Sequence, residues 1–194
     1  KAIQGDERFV VKRSESQKFA LENIILALDD IFISDEDVLV FVDGDDWLYR
    51  PDVFERLAHV YSSSDVLLTF GNYVKHPQNT VGHCSPYTKL EIKQASYRSS
   101  GWRASHLRTM KYKLWRNIDK KDLKDENGEY LTVAADMAIM FPALEMAADR
   151  QYCFRDIMYV YNCENPQNEF KVRAEKQRQQ ETIIRAAKKY DKIC

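Results

Sequence analysis

Three carboxylates stand close together in the segment DGDDWL, at Asp43, Asp45 and Asp46. Carboxylates at this spacing repel one another unless a cation neutralises them. Their oxygen atoms favour hard cations such as Mg²⁺ or Mn²⁺, which keep several water ligands and bridge to phosphate groups. Gly44 lets the backbone turn tightly between them. The same residues also suit an ordinary solvated turn, so the cluster alone leaves a metal site and an acidic turn equally open.

A basic cluster follows later in the chain, at Arg103, His106, Arg108 and Lys111. We predict a helix or helical turn over 103–115, which would pair Arg103 with His106 and Arg108 with Lys111 on shared sides. Cations in such a cluster can hold a diphosphate, and His106 has the alternative role of a metal ligand. A solvated basic face explains the same residues equally well.

The acidic cluster ends a run of five apolar residues, 38–42. A run without alternation predicts a strand covered on both faces, as in the parallel part of an α/β sheet. In such sheets, ligands bind beyond the carboxyl ends of the strands, where Asp43 falls. The order of the other predicted elements indicates a single α/β layer fold. We predict strands at 8–12, 66–73 and 152–161, and a loop over 75–98. We predict helices at 14–29, from Pro51, at 132–148 and at 169–192. The first helix would begin with a capping box of Ser14 and Gln17, and Pro142 should kink or interrupt the third.

The amino-acid composition argues against several classes of function. The 194 residues are 44% hydrophobic and 30% charged, with a formal net charge of -1, which argues against a general nucleic-acid binder. No apolar run approaches the roughly 18 residues of a membrane span, and the polar opening of the chain does not look like a signal peptide. The cysteines form no C-x-x-C pair, so we expect free thiols and a cytoplasmic protein; they are Cys84, Cys153, Cys163 and Cys194.

Several segments together resemble the family 2 glycosyltransferases of the GT-A fold. That family carries an A-x-x-N helix, a strand with a D-x-D metal motif, and a helix opened by P-D. The chain has ALEN at 20–23, VLVFVDGDDWL at 38–48 and PDV at 51–53. Further along, the segment 102–109 resembles the one before the catalytic helix. The segment 135–138 stands where the family has E-D or a single Asp, and 159–162 resembles the closing Y-x-Y strand. The resemblance covers about residues 8–192.

The resemblance implies a fold and an activity. The fold would be GT-A, a Rossmann-like mixed sheet flanked by helices, in one domain over 1–194 with a C-terminal helix at 175–194. The family's opening strands, which form the base pocket, have no counterpart, so we expect an N-terminally truncated chain. The activity would be metal-dependent transfer of a sugar, with inversion, from a nucleotide-diphosphate donor (UDP-sugar by first choice) to an acceptor hydroxyl.

The resemblance also assigns residue roles. Asp43 would face the ribose and the metal, Asp45 would bind Mn²⁺ or Mg²⁺ directly, and Asp46 would bind the metal or order its waters. Asp136 would be the general base, although a residue at this place can equally serve to begin a helix. The remaining candidates are Arg13 for the nucleotide, Arg103, His106 and Arg108 for the diphosphate, Asn162 near a metal-side position, Trp102 for a sugar or the core, and Glu145 as a structural residue.

Two other functions stay open from the sequence. A nucleotidyltransferase also uses carboxylates and a metal, but the chain shows no Gly-rich phosphate loop near its start. A non-catalytic sugar- or partner-binding module is the other alternative. The donor sugar and the acceptor cannot be read from the chain, because acceptor loops vary freely on one fold.

Overall fold

The computed structural model describes residues 6–29, 31–166 and 173–193, and it shows an α/β protein with one mixed sheet flanked by helices. The strands are β1 (Val38–Phe41), β2 (Trp47–Leu48), β3 (Leu68–His76), β4 (Thr80–Val81), β5 (Arg108–Lys111) and β6 (Gln151–Asn162). The helices are α1 (Ala20–Asp29), α2 (Val53–Ser63), α3 (Lys89–Lys93), α4 (Tyr112–Arg116), α5 (Ala135–Ala147) and α6 (Ala174–Ala186), with a 3-10 turn at Lys120–Leu123. None of the helices within these ranges is long and apolar enough to cross a membrane.

The strand order in the sheet is β1-β5-β3-β6-β2, and β4 pairs with β3 outside this order. Only β3 and β6 run parallel, and the other pairs are antiparallel. β1 therefore lies at one end of the described sheet, antiparallel to β5, and the prediction that it is a parallel strand is wrong. Leu39 and Phe41 pack against a larger apolar cluster and Val40 against a smaller one, so apolar contacts on both faces explain the unbroken run.

Helix α1 packs on the sheet through Leu21 and Ile25, which are fully buried. It ends at Asp29 as predicted but begins at Ala20, and residues 14–19 have no regular structure, so the predicted capping box is wrong. The motif occurs elsewhere: Thr88 and Glu91 form a complete capping box at the start of α3. That helix and β4 lie inside the segment predicted to be a loop.

Two further predictions of secondary structure are wrong. Residues 8–12 have no regular structure instead of forming a strand. The predicted helix at 103–115 is instead β5 followed by the short α4, because β5 fills the space between β1 and β3 and pairs with both. In α2, Val53 and Leu57 are buried while Phe54 is 58% exposed, so the predicted apolar side is displaced by one position.

The helix that carries Asp136 forms the centre of the larger core. Every residue of α5 from Met137 to Ala147 is buried. The helix continues through Pro142, so the predicted interruption at this residue is wrong. Helix α6 covers α5 and ends at Ala186, and residues 187–193 have no regular structure. The predictions of a helix that continues to 192 or 194 are therefore wrong. Residues 169–172 and Cys194 lie outside the described residues. The Gln180 side chain accepts hydrogen bonds from the backbone of Thr132 and Val133, which fixes the approach to α5.

Candidate metal centre at the acidic turn

A cleft of about 700 Å³ opens between α1, the end of β1 and the start of α5. This volume falls in the range of small-molecule sites, roughly 300–1,000 Å³. Its wall combines apolar residues of α1 and β1 with a group of polar side chains. The polar residues are Asn23, Asp43, Asp45, Asp46, His106, Arg108, Asp136, Tyr161, Asn165 and Gln177.

Strand β6 holds the acidic turn in place. The Asp43 backbone N–H donates to the hydroxyl of Tyr159 at 3.0 Å, and the Asn162 backbone N–H donates to Asp46 Oδ1 at 2.8 Å. The turn itself closes through a hydrogen bond from the Asp46 N–H to the Asp43 carbonyl at 3.1 Å. The pairing of β2 with β6 then continues the same contact at Trp47. β6 therefore holds both the backbone of Asp43 and the carboxylate of Asp46.

Asp43, Asp46 and His106 bring one potential ligand atom each to within 4.8 Å of one another. Asp46 Oδ2 and His106 Nδ1 are buried and have no hydrogen-bond partner in the protein. Buried polar atoms without partners are uncommon in native proteins and ask for an explanation such as an ion. Two such atoms beside the Asp43 carboxylate indicate a place for a cation.

His106 is held in the form that ligates metals. Burial, together with the charge of Arg108, lowers the pKa of His106 well below its usual range, so the ring is neutral near pH 7. The imidazole stacks on Tyr159 with 4.5 Å between ring centroids and on Tyr161 with 5.5 Å. The Tyr73 ring meets its edge at 5.3 Å. These three aromatic rings set the orientation of the imidazole.

The pKa values of two carboxylates at the turn are raised. Burial raises the pKa of Asp46 to about 6, against the hydrogen bond from Asn162. Desolvation also raises the pKa of Asp43, and Asp136 and Asp45 act in the same direction while Arg108 opposes them. A bound cation would relieve this repulsion.

Arg108 connects the acidic turn to α5. Its guanidinium lies 3.4 Å from Asp43 Oδ2 and 3.3 Å from Asp136 Oδ2. The Asp136 carboxylate also accepts the backbone N–H of Met137 at 2.9 Å, so it supports the first turn of the helix as well as facing the cleft. Asp45 lines the cleft, but its carboxylate accepts from the Asn165 side chain at 2.5 Å and does not belong to the group with His106.

Two predicted diphosphate or nucleotide residues do not line the cleft. Arg103 forms an ion pair with Glu91 at 2.5 Å and lies over the ring of Tyr87. Arg13 is exposed and likewise absent from the cleft wall. Lys111 pairs with the exposed Glu36 at 2.6 Å. Of the basic cluster, the structure brings only His106 and Arg108 to the carboxylates.

Other candidates are structural. The Trp102 ring packs edge-on against Phe141 in the core at 5.3 Å. Glu145 is buried and forms a two-bonded ion pair with Arg98, at 2.7 and 2.9 Å. The Asn162 contribution to the turn comes from its backbone.

Two residues outside the predicted site hold the turn, Tyr159 and Asn165. Tyr159 stands in the segment that resembles the closing strand of the family, but the hydrogen bond of its hydroxyl joins residues 116 positions apart. Asn165 follows β6, and its hydrogen bond to Asp45 joins residues 120 positions apart, so no local signal indicates it.

No protein-family model matches this chain, and no curated protein shows significant similarity to it.

Proposed function

We propose that the protein is a metal-dependent glycosyltransferase of the GT-A fold, which moves a sugar with inversion from a nucleotide-diphosphate sugar to a hydroxyl acceptor. The observation that carries the proposal is the convergence of Asp43, Asp46 and His106 on a cleft of about 700 Å³. Asp46 and His106 each have a buried polar atom without a hydrogen-bond partner in the protein. The second support is the resemblance of the DGDDWL segment and its flanks to that family.

The donor set suits a divalent cation. Two carboxylates and one neutral imidazole offer oxygen and nitrogen ligands together, which favours Mn²⁺ over the strictly oxygen-seeking Mg²⁺. When bound, such an ion would neutralise the departing diphosphate as a Lewis acid.

The charge of the cleft makes the cation necessary. Its wall carries four carboxylates, Asp43, Asp45, Asp46 and Asp136, against the single guanidinium of Arg108. A diphosphate brought to this wall without a cation would meet net repulsion. Nucleotide binding should therefore depend on metal, with Arg108 as the only protein cation in the described wall of the cleft to meet the phosphates.

Asp136 is the proposed general base, since it lines the cleft and Arg108 holds it beside the metal ligands. Its role would be to accept the proton of the acceptor hydroxyl as that oxygen attacks the anomeric carbon. We expect Asp136→Asn to keep Mn²⁺-dependent UDP binding, measured by calorimetry, and to lose sugar transfer. Retained transfer would remove Asp136 from this role.

A non-catalytic binding module is the second candidate, and one observation favours it. The Asp136 carboxylate is already engaged by Arg108 and by the Met137 N–H, as a purely structural residue would be. Incubation with Mn²⁺ and a panel of nucleotide sugars separates the two functions. Release of the nucleoside diphosphate supports the transferase, binding without turnover supports the module, and release of pyrophosphate from a nucleoside triphosphate would indicate a nucleotidyltransferase.

The metal site has its own direct test. A crystal soaked with Mn²⁺ and UDP should show anomalous density between Asp43, Asp46 and His106. Density elsewhere, or no Mn²⁺ binding in solution, would overturn the proposal.

A further inference from the structure

Two cysteines far apart in the sequence meet at the side of the sheet. Cys84 Sγ and Cys153 Sγ lie 3.8 Å apart, although 69 positions separate them in the chain. Cys153 belongs to β6, and Cys84 belongs to the segment 82–88, which has no regular structure. Both side chains are half-buried thiols in the structure.

We propose that Cys84 and Cys153 form an intramolecular disulfide when the protein meets a small-molecule disulfide such as glutathione disulfide. A disulfide requires the two sulfur atoms to approach to about 2.0 Å. Closing the 3.8 Å separation needs a shift of less than about 2 Å. The irregular segment 82–88 can supply this shift more easily than β6, which pairs with β3 along most of its length.

The environment of the pair favours Cys153 as the attacking sulfur. A hydrogen bond from the Cys84 thiol, with the nearby charge of Arg155, lowers the pKa of Cys153. The same contact, with burial, raises the pKa of Cys84. The thiolate is the nucleophile in thiol–disulfide exchange, so Cys153 is the sulfur that reacts first.

The reaction balances in two exchanges. The Cys153 thiolate attacks one sulfur of glutathione disulfide, and one glutathione leaves as its thiolate. Cys84 then loses its proton and attacks the Cys153 sulfur of this mixed disulfide, and the second glutathione leaves. Two protein thiols are oxidised, one glutathione disulfide is reduced to two glutathione molecules, and the two thiol protons pass to the two glutathione thiolates.

The bond would tie the segment 82–88 to β6 beside the residues that carry His106. Cys84 interacts with the backbone of Ser105, the residue that precedes His106. The proposal does not depend on the transferase function, because it rests only on the geometry of the two thiols.

The test uses the whole chain. After incubation with glutathione disulfide, the remaining thiols are alkylated, the protein is digested without reduction, and the peptides are mapped by mass spectrometry. The expected result is a linked pair of peptides containing Cys84 and Cys153 in the monomer, reversed by dithiothreitol. Alkylation of both thiols, linkage through Cys163, or linkage between molecules would each overturn the proposal.

Two cysteine variants and the melting temperature test the proposal further. Cys163→Ser is the matched control and should form the bond as the wild type does. Cys84→Ser should leave Cys153 as a stable mixed disulfide with glutathione, since the second exchange has no thiol. Oxidised wild type should melt higher than reduced wild type by on the order of 5–10 °C, because the bond constrains a long loop of the unfolded chain. Should Cys84→Ser fail to fold, the peptide map of the wild type still decides the question.

Discussion

Replacing Asp46 by asparagine should stabilise the metal-free protein while removing its response to Mn²⁺. Asp46 is half-buried, and Oδ2 of its carboxylate has no hydrogen-bond partner. An asparagine keeps the acceptor for the Asn162 N–H and removes the charge. If Asp46 were selected only for stability, losing its charge would not stabilise the protein. A metal ligand, by contrast, should show both the gain in stability without metal and the lost response to Mn²⁺.

The magnitude follows from the pKa of Asp46, which burial raises from 3.8 to about 6. Each pKa unit corresponds to about 1.4 kcal/mol, so the full effect of the charge is about 3 kcal/mol. Partial exposure screens it to about 1–2 kcal/mol. Because the folded-state pKa is raised, this destabilisation is fully present above about pH 6 and disappears as the pH falls below 3.8.

Urea unfolding in the presence of EDTA, at pH 7 and at pH 4, measures the effect. At pH 7 we expect Asp46→Asn to exceed the wild type by about 1–2 kcal/mol, and at pH 4 the difference should nearly vanish. Mn²⁺ at about 100 times its Kd should add about 2.7 kcal/mol to the wild type and little to the variant.

The matched control is Asp45→Asn, since the Asp45 carboxylate accepts from Asn165 and lies outside the group with His106. Without metal it should gain less stability than Asp46→Asn, because the Asp45 charge is only a minor cause of the raised pKa values of Asp43 and Asp46. If Asp46→Asn is instead less stable than the wild type at pH 7 in EDTA, the carboxylate is stabilised by its surroundings and the reasoning is refuted.

Two further substitutions test other contacts. Tyr159→Phe keeps the aromatic ring but removes the hydroxyl that accepts the Asp43 N–H. The affinity for Mn²⁺, measured by calorimetry, should fall about 10-fold with little change in melting temperature. An unchanged affinity would show that the hydroxyl does not position the site. Glu145→Gln leaves the buried guanidinium of Arg98 without its counter-charge, so urea unfolding should show a loss of about 3 kcal/mol, while Glu36→Gln, at an exposed pair, should cost little.

Much of the local structure was predictable because it depends on residues close in the sequence. Helix α5, strands β3 and β6, and the end of α1 at Asp29 all appear close to where the apolar pattern and the turn residues place them, although α5 continues through Pro142. The cluster DGDD at the end of a strand was also predictable, because its crowded carboxylates are adjacent in the chain.

The sequence by itself thus determined the α/β class and the carboxylates of the acidic turn, since periodicity and adjacency are local properties. Only the tertiary structure decided which other side chains join them. Pairing of β5 between β1 and β3 made a strand of the basic segment, and this brought His106 and Arg108 to the turn while Arg103 pairs with Glu91. Long-range strand pairing leaves no local signature in the chain, which is why the helical prediction for that segment failed.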